Sequence, residues 1–226
     1  MALNIEGKEK FINDFETFSD LYLKNDSLNT LRKNSIQRFS ELGFPTTKNE
    51  EWKYTSVSSI AKTNFRFASP SDKFTLTKTD IEKFLLCGKE ATVLVFENGK
   101  FNESLSEIKN LPKNVVVASL ANSLENESVK QHLGKYASIK TESFIALNSA
   151  FIYDGAFIHI PANVIVEQPI HLLYVNDARA EATVVYPRNL IVAEKSSQVK
   201  IAESYHNISS VNHHFVNSVT EGVVDV

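Results

Sequence analysis

The sequence predicts a mixed α and β fold, in which an N-terminal helical and αβ region is followed by the first coils of a right-handed parallel β-helix. Two observations carry this prediction. Aromatic residues recur at helical spacing near the N-terminus, and the C-terminal part consists of short β-branched runs separated by small corners. Short strands of this kind suit a chain that winds and stacks on itself, and a β-sandwich is the structural alternative. The predicted division is a helical region 1–67, an αβ connecting region 68–140 and a β-helix region 141–226.

The composition narrows the class of protein. Of the 226 residues, 42% are hydrophobic, which is enough for a sizeable core. The formal net charge of −3 provides no excess positive charge for binding nucleic acid. The single cysteine, Cys87, excludes an intramolecular disulfide framework and fits a reducing cytosol. It is predicted to be a buried small residue, because no second cysteine or histidine lies near it. No stretch approaches the roughly 18 apolar residues that span a bilayer, so we expect a cytoplasmic protein with no membrane partner.

The first helix is predicted over residues 6–24. Four aromatic residues lie on one side of this helix: Phe11, Phe15, Phe18 and Tyr22. Such a stripe is typical of a core face, and a partner-docking face is the minor alternative.

A second helix is predicted to begin at a cap formed by Asp26 or Ser27 and to stop at Gly43, with Pro45 just beyond. Its apolar face is predicted to contain Leu28, Leu31, Ser35, Phe39 and Leu42.

The connecting region alternates helix and strand signals. Strands are predicted over 91–96 and 100–102, joined by the hairpin dipeptide Asn98-Gly99, and over 115–120. Helices are predicted over 79–86, with Asp80 as an early acid, and over 123–133, ending at Gly134.

The C-terminal part begins at Phe144 and is predicted to consist of short strands. Pro161 and Pro169 mark corners, because proline cannot donate to a central ladder. The predicted strands cover 157–160, 164–166, 170–175, 189–193, 199–203 and 215–220.

The segment 43–57, GFPTTKNEEWKYTSV, joins the second helix to the connecting region. Thr47 and Glu50 have the spacing of a capping box, which predicts a short helical turn. Trp52 and Tyr54 are predicted to be structural anchors that bury ring area and satisfy one hydrogen bond each. No nucleophile and base stand together in this segment.

This segment resembles a signature near the N-terminus of the SufD branch of the SufB/SufD family, which belongs to the SUF iron–sulfur cluster assembly machinery. The signature has a glycine–proline–threonine lead, an acidic pair and a Trp-Lys-Tyr-Thr run, and the SufB branch lacks the lead. Stretches 147–161, 187–194 and 217–221 also resemble successive coils of the family. The matching signature residues, predicted to be structural, are Gly43, Pro45, Thr46, Glu50, Glu51, Trp52, Lys53, Tyr54 and Thr55.

The resemblance implies a scaffold subunit of a SufBCD complex, which supports iron–sulfur cluster assembly and is no enzyme by itself. The implied partners are SufB-like subunits and SufC-like subunits of the ABC ATPase type. No cofactor is expected on this portion, because in the family the cluster is built by the full complex at residues beyond position 226. Family chains are longer, so we expect Val226 to interrupt a coil. Its exposed terminal strand would then favour self-association.

Three histidines close in sequence invite a metal hypothesis: His206, His213 and His214. The spacing argues against it, because neighbouring residues of a strand point to opposite faces and no cysteine accompanies them. His159 and His171 are predicted to be packed or rim residues of strands. The sequence therefore predicts no metal site.

Acidic residues also fail to form a catalytic pattern. Glu50–Glu51 and the pair Glu125 and Glu127 are predicted to be caps or solvated faces. The alternative function, a carbohydrate-active β-helix enzyme, needs acids clustered on neighbouring coils. The candidates are scattered, and they are Asp154, Glu167, Glu194 and Glu203. No nucleotide-binding loop or hydrolase motif occurs, so no catalytic or cofactor-binding residue is predicted.

Overall fold

The structure is a computed structural model that describes residues 7–22, 27–69, 71–209 and 211–225. Three expectations fall outside the described residues: the position of the Tyr22 side chain, Asp26 as a helix cap, and an interruption of the chain at Val226.

Six α-helices occur in the described ranges. The predicted first and second helices correspond to α1 and α2, while α3 and α6 were not predicted as helices. The helices are α1 (Lys8–Tyr22), α2 (Asn29–Leu42), α3 (Ser58–Lys62), α4 (Lys78–Glu82), α5 (Glu127–His132) and α6 (Ser143–Ala150).

Eleven strands occur in the same ranges. They are β1 (Arg66–Phe67), β2 (Thr92–Glu97), β3 (Lys100–Phe101), β4 (Val116–Ser119), β5 (Ala156–Ile160), β6 (Ile170–Asn176), β7 (Thr183–Val185), β8 (Arg188–Ala193), β9 (Ile201–Asn207), β10 (His214–Val216) and β11 (Val219–Val224).

The strands form three sheets, with the orders β3-β2-β6-β9, β11-β8-β5-β4 and β1-β7-β10. Neighbouring strands are parallel except for β2 with β3 and β4 with β5. The prediction of a mixed α and β fold is therefore confirmed, and each sheet contains parallel strands.

From β5 onward, successive strands enter the second, first and third sheets in a fixed rotation. Phe157 of β5 lies beside Leu190 of β8, thirty-three residues later, and Leu190 lies beside Glu221 of β11, thirty-one residues later. In the first sheet Ile170 lies beside Ile201, again thirty-one residues later. Each of the strands β5 to β8 thus pairs with the strand three positions further along the chain.

The aromatic stripe of α1 is a core face, as predicted. Phe15 and Phe18 are buried and their rings lie 5.9 Å and 5.1 Å from the ring of Phe151, just after α6. Phe11 is fully buried and packs edge-on against Phe39 of α2. The two N-terminal helices therefore share one core with the segment that leads into β5.

Helix α2 begins without a side-chain cap and ends at a glycine. Leu28 occupies the N-cap position of α2 and makes no side-chain cap bond, so the predicted cap at Ser27 is wrong. Gly43 ends the helix as predicted, with φ 65° and its N–H bonded to the Phe39 carbonyl oxygen. The inward face of α2 includes Ser35 and Phe39, and also the fully buried Arg32, which was not predicted.

The predicted all-strand character after Phe144 is wrong at its beginning, because Ser143–Ala150 is helical. The run is apolar and its last five residues are buried, so its sequence shows no amphipathic period that would distinguish helix from strand. The predicted run 164–166 contributes one bridge, between Ile165 and Gln198, because it is a short passage between the corners at Pro161 and Pro169.

The predicted terminal strand 215–220 is two strands, β10 and β11, separated at Asn217. The Asn217 side chain donates to the Phe144 carbonyl oxygen at 2.9 Å, and its own carbonyl oxygen accepts from Asn148 at 2.7 Å. These bonds turn the chain from one sheet to the next. β7 was missed, because it consists of only three residues.

Candidate functional site

The signature segment, residues 43–55, lies along the surface above the N-terminal core. Phe44 is buried between Phe11 and Phe39, with ring centroids 5.2 Å from each, and Pro45 follows half-buried. Trp52 is half-buried and its ring lies 5.2 Å from that of Phe144. The segment is thus held to the core by rings at its two ends.

The residues around Trp52 face solvent. Tyr54 is 91% exposed, so the prediction that its ring is buried is wrong. The Glu50 carboxylate lies 3.8 Å from the Lys53 ammonium, and this ammonium lies 5.6 Å from the centre of the Tyr54 ring. Glu51 is also exposed. An ion pair at this exposure contributes little stability.

The predicted capping box of Thr47 and Glu50 is wrong as well. Glu50–Trp52 forms one 3₁₀ turn whose N-cap is Asn49, with no side-chain cap bond. The Asn49 side-chain oxygen accepts from the Thr46 backbone N–H at 2.9 Å and closes a turn of its own. Asparagine side chains readily form such local hydrogen bonds with the backbone. This explains why the spacing of Thr47 and Glu50 predicted the wrong cap.

Trp52→Ala is expected to lower the free energy of unfolding by about 2–3 kcal/mol, because a half-buried indole loses its contact with the core. Tyr54→Phe is expected to change it by less than about 0.5 kcal/mol, because the hydroxyl group is in water. Urea denaturation of the two variants beside the parent chain measures both. A Tyr54→Phe chain with a clearly lower midpoint would mean that the tyrosine is covered in solution.

The three C-terminal histidines are not one cluster. The His206 ring stacks on Phe84 with centroids 4.1 Å apart, whereas His213 and His214 are exposed at the start of β10. Across residues 7–22, 27–69, 71–209 and 211–225, no group of three or more His, Cys, Asp and Glu side chains is arranged to hold a metal ion. The lone Cys87 lies half-buried beside an apolar cluster.

His171 and His206 lie on the same face of the first sheet. The His171 side chain is fully buried, with Nε2 2.7 Å from the Ser204 hydroxyl and Nδ1 without a partner. The Nε2 atom of His206 is also buried and without a partner. Burial lowers the pKa of both imidazoles; His206 further lowers that of His171, and Lys83 that of His206.

Acidification below pH about 6.5 is therefore expected to destabilise the protein through these two histidines. A histidine whose pKa is lowered by folding binds its proton more readily in the unfolded chain, so stability falls as the pH drops below the unfolded value. The melting temperature of His206→Gln should fall less between pH 7 and pH 5 than that of the parent. The exposed His213→Gln is the matched control. Identical pH profiles for all three chains would contradict this prediction.

Three of the four scattered acids have hydrogen-bond partners of their own: Asp154, Glu194 and Glu203. The Asp154 carboxylate is buried and accepts hydrogen bonds from the Ser119 hydroxyl and from backbone N–H groups, while burial raises its pKa. Glu194 bonds to His159 at 2.7 Å, and this bond lowers the pKa of the carboxyl group. Glu167 is exposed. No pair of these acids is brought together by a shared hydrogen bond within the described residues.

Sequence reasoning missed a buried ion pair between β8 and β11. Arg188 and Glu221 are fully buried, with Nη2 of Arg188 2.8 Å from the carboxylate. Arg188 also donates to Asn148 and Ser149 of α6. Burial opposes the charge on Glu221, but Arg188 and three backbone N–H bonds outweigh it and lower the pKa of the carboxyl group. A charged residue in a strand carries no sequence signal for such a partner.

Among the described residues, the strands β9, β10 and β11 each lie at the outer edge of a different sheet. The opposite ends of the same sheets are formed by the shorter strands β3, β4 and β1.

A helix that could span a bilayer is absent from the portion that the structure describes.

Comparison with known proteins places the chain among iron–sulfur cluster assembly proteins. Residues 5–172 match the family model described as the SufBD protein N-terminal region. The chain is therefore a member of the SufB/SufD family and contains its N-terminal region.

Individual relatives agree with this assignment. The chain is 34% identical over 182 residues to an iron–sulfur cluster assembly SufBD family protein of Synechocystis sp., covering 79% of the chain and 39% of the relative. It is 27% identical over 205 residues to the iron–sulfur cluster assembly protein SufD of Bacillus subtilis, covering 87% of the chain and 45% of that protein. The chain thus spans less than half the length of these curated relatives.

Proposed function

We propose that the chain is the N-terminal portion of a SufD-like scaffold subunit, which supports iron–sulfur cluster assembly within a cytoplasmic SufBCD complex and has no enzymatic activity of its own. The observation that carries this proposal is the family match over residues 5–172. The signature segment, which contains the lead that distinguishes the SufD branch, and the SufD of Bacillus subtilis among the relatives support the SufD side of the family.

We further propose that β5 to β11 form the first coils of a right-handed parallel β-helix. The rotation of successive strands through three sheets supports this proposal, as do the parallel pairings at thirty-one to thirty-three residues. Such a stack is rigid along its axis and would hold partner-binding surfaces at fixed separations. The mechanism of this portion is therefore positional. The three predicted regions 1–67, 68–140 and 141–226 stay part of the proposal.

The proposed partners are SufB-like and SufC-like subunits, and the cluster is a product of the complete complex. We assign no cluster ligand to this portion. Self-association through the C-terminal coil remains a prediction. The carbohydrate-active alternative has no support from the relatives, which carry names of cluster assembly proteins.

Co-purification tests the proposed function. The tagged chain is co-expressed with the SufB-like and SufC-like subunits of the same genome, and we expect at least one of them to be retained at physiological salt. Tagged full-length Bacillus subtilis SufD with its own partners is the positive control. Loss of both subunits from the chain, while the control retains its partners, would show that this portion is not a binding part of the scaffold.

A further inference from the structure

The outer face of the first sheet is covered by one short segment, residues 76–87, which we call the α4 flap. The flap contains α4 and the turns that follow it, and it packs on an apolar cluster of β2 and β6. On its other side, a groove of about 440 Å³ separates the flap from residues 104–107. A segment that is held mainly from one side opens at a low free energy. The residues that hold it are Leu76, Ile81, Phe84 and Cys87.

One titratable ring of the sheet, that of His206 on β9, lies directly under the α4 flap. It stacks on the Phe84 ring with centroids 4.1 Å apart and an angle of 16° between the ring planes. The Nε2 atom of His206 is buried and has no hydrogen-bond partner. A neutral imidazole tolerates this position, because its unprotonated nitrogen carries no charge. An imidazolium would bury both a charge and an N–H group that has no acceptor.

The charged groups around His206 also oppose its protonation. The Lys83 ammonium of the flap lies 4.9 Å from the centre of the same phenyl ring. Burial first, and the Lys83 charge second, lower the pKa of His206. On β6 the neighbouring titratable group is the imidazole of His171, which is no anion. Two acids are nearby but engaged elsewhere: the Glu97 carboxylate, one strand further away, is already hydrogen-bonded, and Glu82 lines the groove.

We propose that protonation of His206 releases the α4 flap from the sheet while the rest of the chain stays folded. With the flap open, the His206 ring is in water, where histidine titrates at about pH 6.5. The open state therefore binds the proton more readily than the closed state, and its population rises as the pH falls below this value. Opening exposes the apolar cluster beneath the flap and the thiol of Cys87. The flap is thus an acid-sensitive cover of this face.

The reaction of Cys87 with dithiodipyridine measures the opening, because the chain has a single cysteine. The rate is divided by that of glutathione at the same pH, which removes the effect of pH on the thiol chemistry itself. When the pH is lowered from about 7.5 to about 5.5, we expect this ratio to rise about five- to tenfold in the parent chain. Circular dichroism over the same range should stay constant, because the sheets remain folded.

Three variants complete the test, and melting curves establish that each of them folds. His206→Phe keeps a ring on Phe84 but binds no proton, so its ratio should not depend on pH. Lys83→Gln removes the neighbouring cation, so His206 is protonated more easily under the closed flap and the rise should be smaller than in the parent. His213→Gln changes an exposed histidine and should behave like the parent.

Two results would overturn the proposal. One is a ratio that stays constant with pH in the parent chain, or that rises equally in His206→Phe. The other is a loss of circular dichroism that accompanies the rise, because the whole chain would then be unfolding.

Discussion

Arg188→Met is expected to lower the free energy of unfolding by about 3–5 kcal/mol, the usual loss when one partner of a buried ion pair is removed. Methionine replaces much of the apolar volume but leaves the buried Glu221 carboxylate without its cation. It also leaves Asn148 and Ser149 without the donor that ties α6 to β8. Urea denaturation, followed by circular dichroism, measures the loss.

A second substitution separates the charge from the packing. In Arg188→Met combined with Glu221→Gln, the amide oxygen at the Oε1 position still accepts from the backbone N–H groups of Tyr136 and Ala137, and no uncompensated charge is buried. We expect this double variant to be more stable than Arg188→Met alone. If the double variant were less stable than the single one, the charge of Glu221 would not be the source of the loss.

Gly155→Ala is expected to cost about 3 kcal/mol or more, because the added methyl group has no room. Its carbon would lie 2.0 Å from the carbonyl oxygen of Arg188, which is part of the β8 backbone and cannot rotate away. The chain approaches so closely here because the Arg188 N–H donates to the Asp154 carbonyl oxygen at 3.1 Å. Thermal unfolding of the purified variant is the measurement.

Gly88→Ala is the control for replacing a glycine of positive φ at an open site; φ is 77° at Gly88 and 158° at Gly155. Gly88 has φ 77° and no atom within 4 Å of an added Cβ, so its replacement carries conformational strain alone, of about 1 kcal/mol. A Gly155→Ala chain that loses no more stability than Gly88→Ala would show that β8 can move aside.

Local signals in the sequence were sufficient where one short segment determines the structure. The aromatic spacing from Phe11 to Phe18 predicted the buried face of α1, and Gly43 predicted the end of α2. Asn98-Gly99 predicted the hairpin, and both residues have the positive φ angles that this turn requires. The corners at Pro161 and Pro169 also lie outside strands as predicted.

The remaining features depend on residues far apart in the chain. Arg188 resembles an ordinary surface arginine until Glu221 and α6 enclose it, and Glu203 shows its interior position only through its register with Leu172. Tyr54 was predicted to be buried because large rings usually are, yet its segment runs over a core that Trp52 and Phe44 already cover. The residues next to Tyr54 in the sequence do not indicate that other rings already cover this part of the core.

The contacts of Phe15 and Phe18 with Phe151 also have a consequence for synthesis on the ribosome. The N-terminus emerges first, so the apolar face of α1 is made long before the residue that covers it. In the same way, β1 cannot pair until β7 has been synthesised, and β2 cannot pair with its parallel neighbour until β6 has been synthesised. We therefore expect the nascent N-terminal part to expose aromatic side chains to solvent until Phe151 has left the exit tunnel, which makes it a natural client for chaperones that bind growing chains.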